Sequence, residues 1–256
     1  MTRRIVLIGV GPGDPEQVTL QAIRAMNEVD LFVVTSKNRP EGDHLAAARG
    51  ALLARHVTGD PGVVLVEDPE RDRSASGTAS IRDYRRAVGD WHEARAERYA
   101  DALAEYDGDA GFLVWGDPSL YDSTVRVLRL VCERLGASLE VIPGVSSLSA
   151  LAARHAIVLH GIGEPVQITT GRRLAEAVAS GQSNIAVMLN RSLAELRDLK
   201  PKGWRIWWGA NLGTPAERLV SGRLKSALPE IERAREEVRE QAGWIMDIYL
   251  LRRTSD

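Results

Sequence analysis

Four short segments carry the residue types that could bind a small molecule and act on it. Three of them, at 9–15 (GVGPGDP), 116–121 (GDPSLY) and 142–147 (IPGVSS), each follow an apolar run that predicts a buried strand, and the fourth, NLGTPAE, spans 211–217. Glycine in such loops lets the backbone turn sharply and approach a ligand with no Cβ in the way. Because open α/β sheets bind small molecules at the carboxyl ends of their strands, these loops predict an enzyme whose ligand site is lined largely by backbone.

The first loop is close to the glycine pattern of dinucleotide-binding folds but does not match it. That pattern, G-x-G-x-x-G, requires glycine where Asp14 stands, and the second predicted strand runs into residues 35–37 (TSK) without the acidic residue that would bind a ribose. Each loop taken alone is also compatible with an ordinary turn, with Pro15 opening a helix or a serine near an N-cap. The combination of loops therefore carries the prediction, and a nicotinamide cofactor is disfavoured.

The histidines and the cysteine give no sign of a metal site. The histidines stand at positions 44, 56, 92, 155 and 160, without the spacing of zinc-binding motifs. Cys132 is the only cysteine, so the chain can form neither an internal disulfide nor a cysteine metal cluster. We predict no metal and, since a lone thiol fits a reducing compartment, a cytoplasmic location.

Composition limits the classes of protein that remain. A chain of 256 residues with 44% hydrophobic content can bury one large core or two modest ones. Its formal charge of -2 argues against a general nucleic-acid binder. The basic start at residues 2–4 precedes only about six apolar residues, which favours a strand over a signal peptide. No run approaches the roughly 20 apolar residues that a membrane span needs.

Strand-like and helical patterns alternate through the first half of the chain. Apolar runs predict strands at 4–10, 31–34, 63–67, 111–115 and 138–142, with helices between most of them. This order predicts a mostly parallel sheet covered by helices. The second half predicts further strands and helices, among them a helix over 230–241 and a strand over 244–251.

Together, the four segments resemble the tetrapyrrole methylase family over essentially the whole chain. The resemblance implies two α/β domains, at 1–145 and 146–256, with a mostly parallel N-terminal sheet, a mixed C-terminal sheet and S-adenosylmethionine in the cleft between them. Within the family, residues 68–72 (DPERD), 84–92 (YRRAVGDWH) and 187–190 (VMLN) most resemble one branch. Its members methylate precorrin-5 at C1 and release acetate, giving precorrin-6A in aerobic cobalamin biosynthesis.

The resemblance also implies which residues contact the cofactor. Methyl transfer from a sulfonium to an electron-rich carbon needs mainly the positioning of donor and acceptor, which fits glycine loops better than a catalytic dyad. The implied contacts are Pro12, Gly116, Asp117, Leu120, Tyr121, Ser146, Ser147, Leu189, Ala210, Leu212, Trp244 and Ile245.

Loss of acetate and binding of the substrate require further groups. Acetate release consumes water, so the reaction needs a base and a group that stabilises the developing oxyanion. Asp14 and Asp117 are the candidate bases on position alone. The substrate carries many carboxylates, which suit arginine, so Arg39, Arg71 and Arg73 are candidate substrate contacts. A solvated charged loop is the alternative interpretation of these arginines.

The family resemblance implies a homodimer. In addition, Trp204, Trp207 and Trp208 cluster on one predicted strand at a spacing that would expose some indole on each face, although they could instead be core. Three other functions share part of the pattern: a methyltransferase acting on another precorrin or on uroporphyrinogen III, an RNA methyltransferase, which the charge balance disfavours, and a nucleotide-binding or scaffold protein without turnover.

Overall fold

A computed structural model describes residues 2–36, 44–69, 81–199 and 203–254 of the chain. The candidate substrate contacts Arg39, Arg71 and Arg73 lie outside these ranges. The chain divides into two units: the first runs up to Gly11 and from Pro15 to Val145, and the second comprises Pro12–Asp14 and the chain from Ser146 onward.

The first unit is a parallel sheet with helices in its crossover connections. Its elements are β1 (Arg4–Gly9), α1 (Leu20–Glu28), β2 (Leu31–Ser36), α2 (His44–His56), β3 (Gly62–Glu67), α3 (Ile81–Ala104), β4 (Ala110–Val114), α4 (Thr124–Leu135) and β5 (Ser138–Ile142). The strands lie in the order β3-β2-β4-β1-β5, and every pairing is parallel. The carboxyl ends of β4, β1 and β5 are therefore neighbours at one edge of the sheet.

The central strands read as continuous apolar runs because both of their faces are covered. On one face Leu7 of β1 packs in a buried cluster with Tyr99 of α3 and Val127 of α4. On the other face Ile8 packs with Met26 of α1. Burial on both sides fixes the register of β1, and with it the position of the glycine loop that follows.

The second unit is a mixed sheet. Its elements are α5 (Ser147–Arg154), β6 (Gln167–Thr170), α6 (Leu174–Ala179), β7 (Asn184–Met188), α7 (Ala194–Arg197), β8 (Trp204–Ala210), β9 (Arg218–Arg223), α8 (Leu224–Ala242) and β10 (Asp247–Arg253). The order is β6-β7-β10-β8-β9, in which only β6 and β7 pair in parallel. The predicted α/β class, with a parallel first sheet and a mixed second sheet, is confirmed.

The tryptophans of β8 are core residues, so the expectation that they expose indole on both faces is wrong. Trp204 and Trp208 are buried on the face that α8 covers. Trp207 points to the opposite face, where the guanidinium groups of Arg205 and Arg252 lie 5.3 and 5.1 Å from its ring centroid. Because helices and arginine side chains cover both faces, these tryptophans give no support for a subunit contact. None of the described helices is long and apolar enough to cross a membrane.

Candidate functional site

The three glycine loops of the first unit meet backbone to backbone. Gly11 and Gly116 form an isolated bridge, in which Gly116 N–H donates to the Gly11 carbonyl at 2.7 Å and Gly11 N–H donates in return at 3.2 Å. A Cβ on Gly9 would lie 2.7 Å from the nitrogen of Gly144, and a Cβ on Gly144 would collide with the carbonyl oxygen of Gly116. Only glycine allows this approach, so the structure brings these predicted loops together as the sequence pattern indicates.

Asp117 ties two of these loops to each other. Its Oδ2 accepts a hydrogen bond from Gly144 N–H at 3.0 Å, and its Oδ1 accepts from the backbone N–H of Ser119 at 2.8 Å and from the Ser119 hydroxyl. Burial acts to raise the pKa of the Asp117 carboxyl, but these hydrogen bonds outweigh it, so the pKa is lowered. A carboxylate with a lowered pKa and three donors is a weak base, and the geometry gives Asp117 a positioning role.

Open space faces the loop after β4. Gly116 has a φ of +73°, and among the described residues no atom lies within 4 Å of the place where its Cβ would be. Tyr121, at the far end of the same loop, has a φ of 52° and is 45% exposed. Left-handed backbone is uncommon for tyrosine, and such strain concentrates at ligand sites. A ligand could therefore approach the backbone of Gly116 without displacing protein atoms.

Leu189 is the most unusual of the predicted contacts in the second unit. It follows β7 with a φ of 56°, and 59% of its surface is exposed. A large apolar side chain in left-handed backbone and facing solvent is unfavourable on both counts, unless a ligand covers it.

Asn211 positions the other predicted contacts at the end of β8. Its backbone has a φ of 47°, and its Oδ1 accepts from Met246 N–H at 2.8 Å while its Nδ2 donates to the Trp244 carbonyl at 3.3 Å. Ala210 and Leu212 on either side are buried, so only their backbone groups could face a ligand. The segment 244–246 is a loop before β10 and not the start of the predicted strand.

Ser146 and Ser147 begin helix α5. Ser146 is the N-cap, and its Oγ accepts from Ser149 N–H at 3.1 Å. This cap is a structural reason for a serine at position 146. Ser147, the first helical residue, is half-buried.

A charged cluster joins the loop at 12–14 to the segment at 211–217 within the second unit. Glu217 Oε2 accepts from Gly213 N–H at 2.7 Å and from Arg154 Nε at 3.0 Å. Arg154 Nη2 also lies 3.6 Å from Asp14 Oδ2. Asp14 thus belongs to the second unit and carries a paired, partly exposed carboxylate, whereas Asp117 belongs to the first.

Sequence reasoning did not find a buried ion pair that contacts the turn after Leu189. Arg235 Nε lies 3.0 Å from Asp247 Oδ2, with side chains 11% and 1% exposed. The available signal was Arg235 itself, a charge inside the apolar stripe formed by Ile231, Ala234 and Val238 of α8.

Comparisons with known proteins identify a family and several relatives of this chain. The model of the Tetrapyrrole (Corrin/Porphyrin) Methylases matches residues 4–228. A curated relative, precorrin-6A synthase (deacetylating) of Sinorhizobium sp, is 41% identical over 259 residues, which cover 99% of this chain and 97% of the relative.

Solved structures show the same fold. A protein from Corynebacterium diphtheriae described as cobalamin synthesis related (CobF) is 34% identical, with a TM-score of 0.82 and full coverage of both chains. A uroporphyrin-III C-methyl transferase from Thermus thermophilus, in complex with S-adenosylhomocysteine, is 20% identical, with a TM-score of 0.57 over 97% of this chain and 91% of that one. The second likeness supports the fold alone.

Proposed function

Because the chain belongs to the tetrapyrrole (corrin/porphyrin) methylase family, we propose that it is an S-adenosylmethionine-dependent methyltransferase of cobalamin biosynthesis. The reaction is methylation of precorrin-5 at C1 with release of acetate, giving precorrin-6A. The observation that carries the proposal is the 41% identity, over nearly the full length of both chains, to precorrin-6A synthase (deacetylating).

The residues of the site fit the cofactor. The Cβ position of Gly116 is open among the described residues, and Leu189 presents an exposed apolar side chain from strained backbone. When bound, S-adenosylmethionine supplies a sulfonium-activated methyl group. Gly116 admits the ligand close to the backbone, Asp117 holds its loop against Gly144, and Leu189 offers apolar surface. Their task is to orient donor and acceptor.

Acetate release consumes one water, and a base is needed to activate it. Of the two candidates, Asp14 suits this role better, because three donors occupy the oxygens of Asp117. Arg39, Arg71 and Arg73 remain the proposed contacts to the substrate carboxylates. Replacement of Asp14 by asparagine should reduce acetate release. The affinity for S-adenosylhomocysteine should stay within about twofold of that of the parent, since Asp14 is not among the proposed contacts to the cofactor.

The test is the mass of the product formed from precorrin-5 and S-adenosylmethionine. The proposal requires gain of a methyl group and loss of the acetyl group, with acetate and S-adenosylhomocysteine released in equal amounts. Gain of methyl without loss of acetyl identifies a methyltransferase for a different precorrin or for uroporphyrinogen III. Formation of S-adenosylhomocysteine excludes a binding or scaffold protein without turnover.

By resemblance to the family we also propose a homodimer in the cytoplasm. Light scattering at micromolar concentration tests the oligomeric state, and the mass of a single chain, 28.0 kDa, would refute the dimer.

A further inference from the structure

Arg235 occupies a position where helix α8 otherwise carries apolar residues. Ile231 and Val238 on the same helix face are fully buried against the sheet, and Arg235 lies between them with its side chain 11% exposed. A buried guanidinium needs partners for its charge and its donors. Its Nε donates to Asp247 Oδ2 at 3.0 Å, and Asp247 opens the central strand β10.

The other branch of the guanidinium reaches the turn that follows β7. Arg235 Nη2 donates to the carbonyl of Arg191 at 3.1 Å, with a longer contact of 3.4 Å to the carbonyl of Asn190. One planar group therefore connects a carboxylate on β10 to two successive carbonyls of this turn. The fork of arginine suits this task, whereas the single ammonium of lysine does not.

Two further hydrogen bonds complete the arrangement. Trp208 Nε1 donates to Asp247 Oδ2 at 3.1 Å, which fixes the carboxylate against β8. Asn190 Nδ2 donates to the Asp247 carbonyl at 3.2 Å, which fixes the turn against β10. The turn is thus held by a side chain from α8 and by the backbone of the neighbouring strand.

Leu189 is the residue immediately before these held carbonyls. Its left-handed backbone is unfavourable for leucine, and its exposed side chain gains no burial within the described protein to offset this. Some other interaction must therefore select the conformation. The bonds from Arg235 and Asn190 restrain the next two residues and can therefore contribute to this selection.

A purely stabilising role for the ion pair is the alternative. Buried ion pairs seldom stabilise a fold more than apolar side chains of similar size would, because desolvation offsets their attraction. The bonds to the carbonyls of Asn190 and Arg191 satisfy donors of the buried guanidinium in either case. The direction of those bonds, toward a strained and exposed residue, is what a positioning role explains.

We propose that Arg235 and Asp247 are positioning residues that hold Leu189 in its left-handed conformation and thereby set the affinity for S-adenosylmethionine. This inference rests on the proposed function, since it takes Leu189 to contact the cofactor. Neither residue touches the reacting atoms, so the effect is on the KM for the methyl donor and not on kcat at saturation.

The experiment is calorimetry with S-adenosylhomocysteine on Arg235→Lys, which keeps the charge beside Asp247 but cannot reach both partners. We expect the Kd to rise about tenfold, the lower end of the effect that the loss of outer-shell partners has at metal sites. The KM for S-adenosylmethionine should rise in parallel, with kcat within about twofold. Ile231→Val is the matched control, because it removes buried volume from the same helix face, has no polar bond to the turn and should leave the Kd unchanged while lowering Tm.

A second variant tests whether Arg235 acts on the affinity through the backbone conformation of Leu189. Glycine adopts left-handed backbone without strain, so in a Leu189→Gly background Arg235→Lys should change the Kd by less than about twofold. Should Arg235→Lys not fold, Asp247→Asn replaces it, with a smaller rise in Kd expected because Trp208 keeps an acceptor.

The outcomes separate this inference from the proposed function. If the parent protein binds S-adenosylhomocysteine and Arg235→Lys shifts the Kd no more than Ile231→Val does, the inference is overturned and the function stands. If Arg235→Lys changes the Kd equally in the parent and in the Leu189→Gly background, the inference is overturned as well. If the parent protein binds no S-adenosylhomocysteine, the proposed function fails and the inference fails with it.

Discussion

Gly13 and Gly213 approach each other so closely that neither position can accept a side chain. A Cβ on Gly13 would lie 2.5 Å from the Leu212 carbonyl oxygen, and a Cβ on Gly213 would collide with the nitrogen of Asp14. Both glycines have positive φ, of 151° and 77°. Packing of the two backbone segments is therefore enough to require glycine at both positions, without any contribution from a ligand.

Replacement of Gly213 by alanine should destabilise the protein by about 2–4 kcal/mol, since left-handed strain and a backbone collision add together. Gly181→Ala is the matched control in the same unit, because Gly181 has a φ of 83° but open space at its Cβ position. It should cost only about 1 kcal/mol from strain. Urea unfolding of both variants measures the difference, and equal losses would contradict the close approach.

Replacement of Gly116 by alanine should weaken the binding of S-adenosylhomocysteine by about tenfold or more, because the new methyl group occupies the space where the ligand approaches. Gly136→Ala provides the control: Gly136 ends α4 with a φ of 63° and also has open space at its Cβ position. Both variants carry the same backbone strain, so the change in free energy of unfolding should be similar. Calorimetry then decides, and equal affinities in the two variants would argue against a ligand at Gly116.

Asp117→Asn should remove a pH-dependent part of the stability. The hydrogen bonds from Ser119 and Gly144 outweigh the effect of burial and lower the folded-state pKa of Asp117, so its contribution is present above the unfolded value of about 3.9 and is lost as the pH falls through the folded pKa. The gap in unfolding free energy between parent and variant should therefore narrow below about pH 4.

Ser119→Ala tests the cause of this pH dependence. Without the hydroxyl donor the folded-state pKa of Asp117 should lie closer to its unfolded value, because one of the bonds that lower it is gone. The acid loss of stability attributed to Asp117 should then be smaller and should be complete at a higher pH. Denaturation curves from pH 7 to pH 3 measure both variants. A gap that stays constant over this range would show that Asp117 gains no such stabilisation in the fold.

Arg71→Ala combined with Arg73→Ala should raise the KM for precorrin-5 and leave the affinity for S-adenosylmethionine nearly unchanged. Loss of one charge-assisted contact costs on the order of 1.5–3 kcal/mol, which is tenfold or more in KM. The control is the double variant Arg24→Ala with Arg129→Ala, which removes two exposed arginines from α1 and α4 and so makes the same change in net charge. Steady-state kinetics compare the pairs, and a KM within twofold of the parent in both would identify 71–73 as a solvated surface.

The sequence allowed the sheet of the first unit to be predicted because its central strands are continuous apolar runs ending in glycine loops. The start of α8 was missed: the pattern predicted a helix from Glu230, whereas the helix begins at Leu224 and contains Pro229. Proline inside a helix costs a backbone hydrogen bond, but Leu224 and Ala227 pack into the same core as Ile231, and this packing outweighs the lost bond.

The burial of Arg235 left a signal in the sequence, but its pairing with Asp247 could not be predicted, for a different reason. Its formation depends on β10 lying between β7 and β8, and on α8 crossing that end of the sheet. Periodicity reports which face of an element is apolar, but it carries no information on which distant elements become neighbours. The left-handed backbone of Leu189 depends on the same neighbours, so its strain could not be predicted from the sequence either.

The assignment of residues 12–14 to the second unit has a consequence for the order of folding. Gly13 meets a partner 200 positions further along the chain, so this contact closes one of the longest loops in the molecule. The entropy of closing a loop grows with its length, and contacts of such separation slow folding. The amide groups of Gly13 and Asp14 should therefore acquire protection from hydrogen exchange late in refolding, after β1 has already paired with β4.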